Sequence, residues 1–387
     1  MGLVRRAGVA VAATAAPLGL AYRFALAYRA RAGYPRRNVP LVTPSDLGLP
    51  YEATAVEGDG FSLPAWFIPA RGGRPGPGVV LVHGWESARD RTLPMALFLN
   101  AAGFHCLTFD VRGHGANPAE ELPLSGGEFG RDAAAAFATL LERPEVTVGA
   151  ISGHSMGALG AILAAAADPR VAALVATAAP ADPYRLTRQT FRLAHLPIPD
   201  PIAYPLAWLT TRVYLRPRGH RVPDVSASAA IARYAGPVLL VHGDEDSVVP
   251  VAHLDRLAKA AQGARAGNPD AAPVETMIVP GGQHSWLYEV PNYRRAVARM
   301  LTIALGGPLS PDEAGEVAAG TPSQRIRDGE TRFAAMEETH GGMRTLAELA
   351  LSGGTGLRPV QPRAEAPDGT AGDPGLPLAP ARIAAGS

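Results

Sequence analysis

Six short, largely apolar runs punctuate the chain: Val79–Val82, Cys106–Phe109, Val146–Ile151, Val171–Ala176, Val238–Val241 and Val274–Val279. Runs of this length, rich in valine, leucine and isoleucine, predict strands buried on both faces of a parallel sheet. Three stretches break the rhythm. Near the amino terminus an uncharged, alanine-rich run from Ala7 to Tyr22 lies between Arg5-Arg6 and Arg23, Arg29 and Arg31. In the middle, a proline-punctuated segment covering residues 183–233 separates the fourth run from the fifth and carries Phe191, Tyr204, Trp208 and Tyr214. Past Leu305 the sequence Gly306-Gly307-Pro308 opens a linker, residues 322–351 read as short helices split at Gly341-Gly342, and roughly the last 35 residues predict disorder.

The amino-terminal run, as a helix of sixteen residues, spans about 24 Å, short of the roughly 30 Å hydrocarbon layer. It fits an anchor whose Arg23 snorkels, a signal peptide cut after Ala27, or an amphipathic surface helix. The arginine flanks on both sides favour membrane contact through residues 1–34, with a helix packed on the enzyme as the alternative; the corresponding locations are membrane-associated, or cytoplasmic or exported.

The chemistry concentrates where predicted strands end. The third run leads into Gly153-His154-Ser155-Met156-Gly157, and a helix can begin at once on Ala158–Leu163. A strand that becomes a helix there puts Ser155 on a sharp turn with its hydroxyl exposed, and the flanking glycines remove side chains that would collide. The fifth run leads into His242-Gly243-Asp244-Glu245-Asp246-Ser247-Val248-Val249-Pro250, and the sixth into Pro280-Gly281-Gly282-Gln283-His284-Ser285-Trp286. The first run ends in His83-Gly84-Trp85, and the second in Asp110-Val111-Arg112-Gly113-His114-Gly115.

In this order the motifs resemble those of the α/β-hydrolase superfamily over about residues 51–305, and the hairpin region around Gly58-Asp59-Gly60 is similar to that of the serine aminopeptidase-like and dienelactone-hydrolase-like subgroup. The resemblance implies a mostly parallel, doubly wound sheet with a helical cap inserted at residues 183–233. It implies Ser155 as nucleophile, Asp246 as orienting acid with Asp244 and Glu245 as neighbouring carboxylates, and His284 as general base. Backbone N–H groups of Trp85 and Met156 are then expected to form an oxyanion hole. The Asp110–Gly115 turn is read as structural, tying the loop beside that hole. Substrate choice is expected to lie in the cap, with Phe191, Tyr204, Trp208 and Tyr214 as its candidates.

A serine hydroxyl is a weak nucleophile at neutral pH, which is why an imidazole and an orienting carboxylate must accompany it. The expected activity is hydrolysis of ester, thioester or small amide bonds in a small acyl substrate or short peptide. An acyltransferase or perhydrolase using the same serine, or a catalytically silent membrane-tethered binding protein, are the rivals. Composition narrows the field further. The formal net charge of +1 offers no electrostatic case for nucleic-acid binding. With one cysteine, Cys106, no intramolecular disulfide is possible. No HExxH, CxxC or ligand-spaced carboxylate cluster occurs, so no metal and no cofactor are expected.

Overall fold

The computed structural model describes residues 2–322 apart from 59, 269 and 270, with side chains described from residue 16 onward. The apolar runs become the inner strands of an eight-stranded sheet. These are β1 (Glu52–Gly58), β2 (Phe61–Ile68), β3 (Gly76–Val82), β4 (His105–Phe109), β5 (Val146–His154), β6 (Val171–Thr177), β7 (Val238–Gly243) and β8 (Val274–Val279). Their order is β1-β2-β4-β3-β5-β6-β7-β8; β2 is antiparallel to β1 and β4, and all other neighbours are parallel. Three strands extend past their apolar runs at the carboxyl end, because the residues there still pair with a neighbour: His154 of β5 with Thr177 of β6, and Gly243 of β7 with Val279.

Helices cover both faces. They are α1 (Gly2–Ala32), α2 (Leu93–Ala101), α3 (Gly126–Leu141), α4 (Met156–Ala167), α5 (Pro183–Leu193), α6 (Asp200–Leu215), α7 (Ala227–Ile231), α8 (Ala252–Arg265), α9 (Pro291–Leu305) and α10 (Pro311–Gly320). On one face α3, α4, α7 and α8 bury Phe129, Phe137, Ile162, Ile231 and Leu257 against the sheet. On the other, α2, α9 and α10 bury Phe98, Leu99, Val297, Leu301 and Ala314. Each such large apolar side chain contributes about 1.5 to 3 kcal/mol when buried.

The strand order reverses at β3, with β4 on one side and β5 on the other. Chains leaving the carboxyl ends of β3 and β5 therefore diverge, which opens a crevice at that end of the sheet. Helices α5 and α6, within the insertion, stand beside this crevice.

Both terminal segments carry helix. Among the described residues no helix is long and apolar enough to cross a membrane, so the structure gives the membrane reading of residues 1–34 no support. The carboxyl-terminal part of α1 instead packs on α6: Ala25 and Tyr28 are buried, and Arg29 Nη1 donates to Val213 O at 3.2 Å. Beyond Leu305 the linker is only a few residues long before α10. That helix starts with a Ser310–Glu313 capping box and Pro311, and buries Ala314 and Ala318. The buried Arg294 guanidinium donates to Ala318 O at 2.9 Å and Ala319 O at 2.7 Å, satisfying carbonyls at the negative end of α10. The helices expected within 322–351 and the tail that follows lie outside the described residues, save Pro322.

Candidate active site

Ser155 sits where β5 becomes α4, at φ 55° and ψ −121°, a strained conformation for a residue with a side chain. Its neighbours explain why this turn needs glycine. A Cβ on Gly153 would lie 2.3 Å from Gly157 O, and one on Gly157 would lie 2.3 Å from the carbonyl oxygens of Val82 and His83. Backbone cannot yield by that much, so both positions exclude every other residue. The turn also anchors itself, with Ser155 N–H donating to Thr177 O at 2.9 Å.

Loops after β7 and β8 bring two more side chains to the serine. His284 Nε2 lies 2.9 Å from Ser155 Oγ, and His284 Nδ1 lies 2.8 Å from Asp246 Oδ2. Because an ionised carboxylate only accepts, Nδ1 carries the proton and Nε2 is left to accept from the serine hydroxyl. Asp246 Oδ1 receives the N–H groups of Val248 and Val249 at 2.9 and 2.8 Å. Burial alone would raise this carboxyl, but donors from His242, His284 and Val249 outweigh it and hold it well below the usual carboxylate range. Of its neighbours, Asp244 accepts from Gly281 N–H at 2.7 Å and Glu245 N–H donates to Gly282 O at 3.0 Å, so both tie the β7 and β8 loops together.

Two histidines here escaped the sequence reading, which placed them in turns. His242 Nε2 is 2.6 Å from Val249 O and 3.3 Å from Asp246 Oδ2, behind the carboxylate. His154 Nε2 donates to the backbone oxygen of His284 at 2.7 Å. Burial, aided by the neighbouring His284, pushes His154 down to about 3, so it stays neutral. The only advance signal for either was adjacency to a motif.

The loop after β3 passes directly over Ser155, for a Cβ on Gly84 would lie 3.3 Å from Ser155 Cβ. His83 sets its path: Nε2 accepts from Val111 N–H at 3.0 Å, which leaves Nδ1–H to donate to Gly84 O at 2.8 Å. The Trp85 ring stacks on Phe129, 6.2 Å between centroids, and meets His114 edge to face. Met156, the other expected oxyanion donor, is the first residue of α4. Asp110 accepts from Arg89 N–H at 2.7 Å, from the Arg89 guanidinium at 2.5 Å and from Ala116 N–H at 2.9 Å, fastening this loop to the turn after β4.

Beside Ser155 lies a cavity of about 160 Å³, lined by Trp85, Met156, Leu159, Leu186, Leu193, Leu215 and Val249 among others. That is about the size that accommodates a benzene ring. Tyr214 lines it. The other three aromatic candidates do not, which corrects the sequence expectation for the cap. Tyr204 and Trp208 are 44% and 53% exposed on the outer face of α6, where Arg188 and Arg212 cover their rings at 4.1 and 3.6 Å. Phe191 is buried with Tyr28 and Ala207, behind the cavity wall. The helical repeat explains the split: Ala203, Ala207 and Thr211, spaced by four, form the inward face, and Tyr204 and Trp208 fall one residue round from it.

This architecture and site define a class. A model of the alpha/beta hydrolase family matches residues 79–299, and the chain belongs to that family. An uncharacterized protein of Mycobacterium tuberculosis, in strains H37Rv and CDC 1551 / Oshkosh alike, is 30% identical over 230 residues, covering 59% of this chain and 69% of the relative. An esterase of Pyrococcus furiosus, in space group P212121, is similar in structure with a TM-score of 0.56 at 22% identity, over 70% of this chain and 98% of that one. At that identity the likeness carries the fold alone. The family match begins at residue 79, so α1 lies outside it.

Proposed function

We propose that the protein is a serine hydrolase that cleaves ester, thioester or small amide bonds of a small-molecule acyl substrate or short peptide. One observation supports this most: an unbroken hydrogen-bond chain from Ser155 Oγ through His284 to Asp246, at a strained turn opening onto an apolar cavity. In this reading Ser155 Oγ attacks the carbonyl carbon as His284 Nε2 takes its proton. Asp246, kept ionised, holds the imidazole tautomer and stabilises the imidazolium without taking the proton. The oxyanion is received by the N–H groups of Met156 and Trp85, the former aided by the positive end of α4; one such donor is worth a factor of about 100 to 1,000 in turnover. His284 then protonates the leaving group, and the bond to it breaks. Water, activated by the same imidazole, releases the acid and restores Ser155.

The test is hydrolysis of p-nitrophenyl butyrate by the full-length protein and its Ser155→Ala variant. Turnover is expected in the first and a loss on the order of 1,000-fold or more in the second. Equal rates would refute the assignment.

A further inference from the structure

Resting on that reading of Ser155, we propose that the amino-terminal helix α1 is a specificity element of the enzyme, with Tyr28 and Ala32 closing the far wall of an acyl pocket that takes uncharged, apolar acyl groups.

Tyr28 and Ala32 line the same cavity as Ser155, facing it from α1, while α5 and α6 supply Thr187, Thr190 and Thr211. The helix is held there by specific bonds. Tyr28 Oη lies 2.9 Å from Thr190 Oγ1 of α5, and Tyr214 Oη of α6 donates to Ala32 O at 3.1 Å and Leu124 O at 2.5 Å. Leu124 N–H donates to Gly33 O at 2.8 Å. The Tyr28 ring meets Phe191 and Tyr214 edge to face, at 5.8 and 5.9 Å between centroids. A ring locked on two sides and bonded at its tip sets a fixed depth.

The hydroxyls decide what the wall accepts. Thr190 donates its one proton to Thr187 O at 2.6 Å, so Tyr28 must be the donor to Thr190. Thr187 donates to Pro183 O at 3.0 Å, and Thr211 to Ala207 O at 2.7 Å. Ser125 donates to Glu128 Oε2 at 2.7 Å. Every one of these protons is spent on the protein. Burial pushes Tyr28 up to about 12, which keeps it neutral. Among the described residues the lining holds no Lys, Arg or His, and its one charged residue is Asp182. An anionic acyl group would lose its water here, meet no cation and find these hydroxyl protons already spent. An alkyl or aryl group loses nothing.

The experiment compares kcat/KM of the full-length protein, Tyr28→Ala, Tyr28→Phe and Ala32→Leu on p-nitrophenyl esters from acetate to dodecanoate, and on a hemisuccinate ester. Opening the wall with Tyr28→Ala should raise the dodecanoate-to-butyrate ratio at least tenfold. Narrowing it with Ala32→Leu should move the ratio the other way, Tyr28→Phe should keep it within about twofold, and the hemisuccinate should trail butyrate at least 100-fold in the unmodified protein. Uniform losses on every ester, or an unmoved ratio, would overturn the proposal. A readout without turnover separates it from the reading of Ser155: straight-chain alcohols are titrated calorimetrically into Ser155→Ala with and without Tyr28→Ala. A protein that hydrolyses nothing, yet whose preference for alcohol length shifts with Tyr28, defeats the assigned chemistry and keeps the pocket. An unshifted preference defeats the pocket.

Discussion

On the sheet side of Ser155, side chains are fixed by hydrogen bonds and by backbone contacts that glycine alone permits: His284 to Asp246, Asp246 to Val248 and Val249, His83 to Gly84 and Val111. On the cap side, the cavity wall is assembled between distant parts of the chain, by ring packing and by hydroxyl bonds such as that of Tyr28 to Thr190 across 162 residues. The first region has one workable arrangement for each residue, since a lost partner strands a buried polar group. The second tolerates exchange of volume for volume at its apolar positions, such as Leu159 and Leu186. In the proposed function the difference separates two tasks: reaction chemistry would fall to a hydrogen-bonded edge, and substrate choice to a surface made by helices that have no strand to hold them.

Four experiments break or sharpen that contrast. The largest effect is expected from Asp246→Asn: with Oδ1 still held by the Val248 and Val249 N–H groups, an amide donor replaces the oxygen facing His284 Nδ1 and favours the wrong imidazole tautomer; kcat should fall by about 1,000- to 10,000-fold with little change in KM, as steady-state kinetics would reveal. A loss under tenfold would mean that the carboxylate does not orient the base.

The second is acid sensitivity of the fold. Burial pushes His114 and His154 down to about 3 and His253 to about 4, from 6.5 for a free imidazole. Between those limits the unfolded chain binds the extra protons and the folded one does not. Stability is therefore complete above pH 6.5 and lost as pH falls below it, by roughly 1.4 kcal/mol per pH unit for each histidine. Urea unfolding at pH 7, 6 and 5 should show the midpoint falling at each step; a flat series would contradict the neutral, buried state of these rings.

The third is His242→Leu. Removing a buried donor beside a carboxylate costs about 1.5 to 3 kcal/mol, so kcat should drop about tenfold or more, again with KM nearly constant. If only thermal stability changes, His242 holds the loop and does not position Asp246. The smallest effect is expected from Trp208→Ala on the outer face of α6. Ester preference should stay within about twofold and stability within ~0.5 kcal/mol, measured by the ester panel and by unfolding. A large shift in preference would bring the cap's outer face into substrate selection and blur the contrast.

Legibility of the sequence follows the same division. The sheet and its motif loops were readable because backbone geometry imposes residue types at short spacing. Gly153 and Gly157 are dictated by contacts of 2.3 Å, and apolar runs such as Val238–Val241 by burial on both faces. His242 was hidden because a histidine before Gly243 looks the same whether or not it reaches a carboxylate four residues on. The cap was hidden for another reason. Aromatic content marks Tyr204, Trp208 and Tyr214 equally, and which of them faces inward depends on where α6 lands; the small residues Ala203 and Ala207 were the signal for its packing face. The amino-terminal run carried the least information, since apolar residues flanked by arginines serve a membrane surface and a packed helix alike, and only the position of α5 and α6 gives Tyr28 a partner.

The central claim, a nucleophilic Ser155 driven by His284, is tested most directly by reacting the full-length protein with a fluorophosphonate and locating the adduct by mass spectrometry. The account predicts a single adduct, on Ser155, forming at least 1,000-fold more slowly in His284→Ala. No adduct, or an adduct on another residue while ester hydrolysis proceeds, would contradict it.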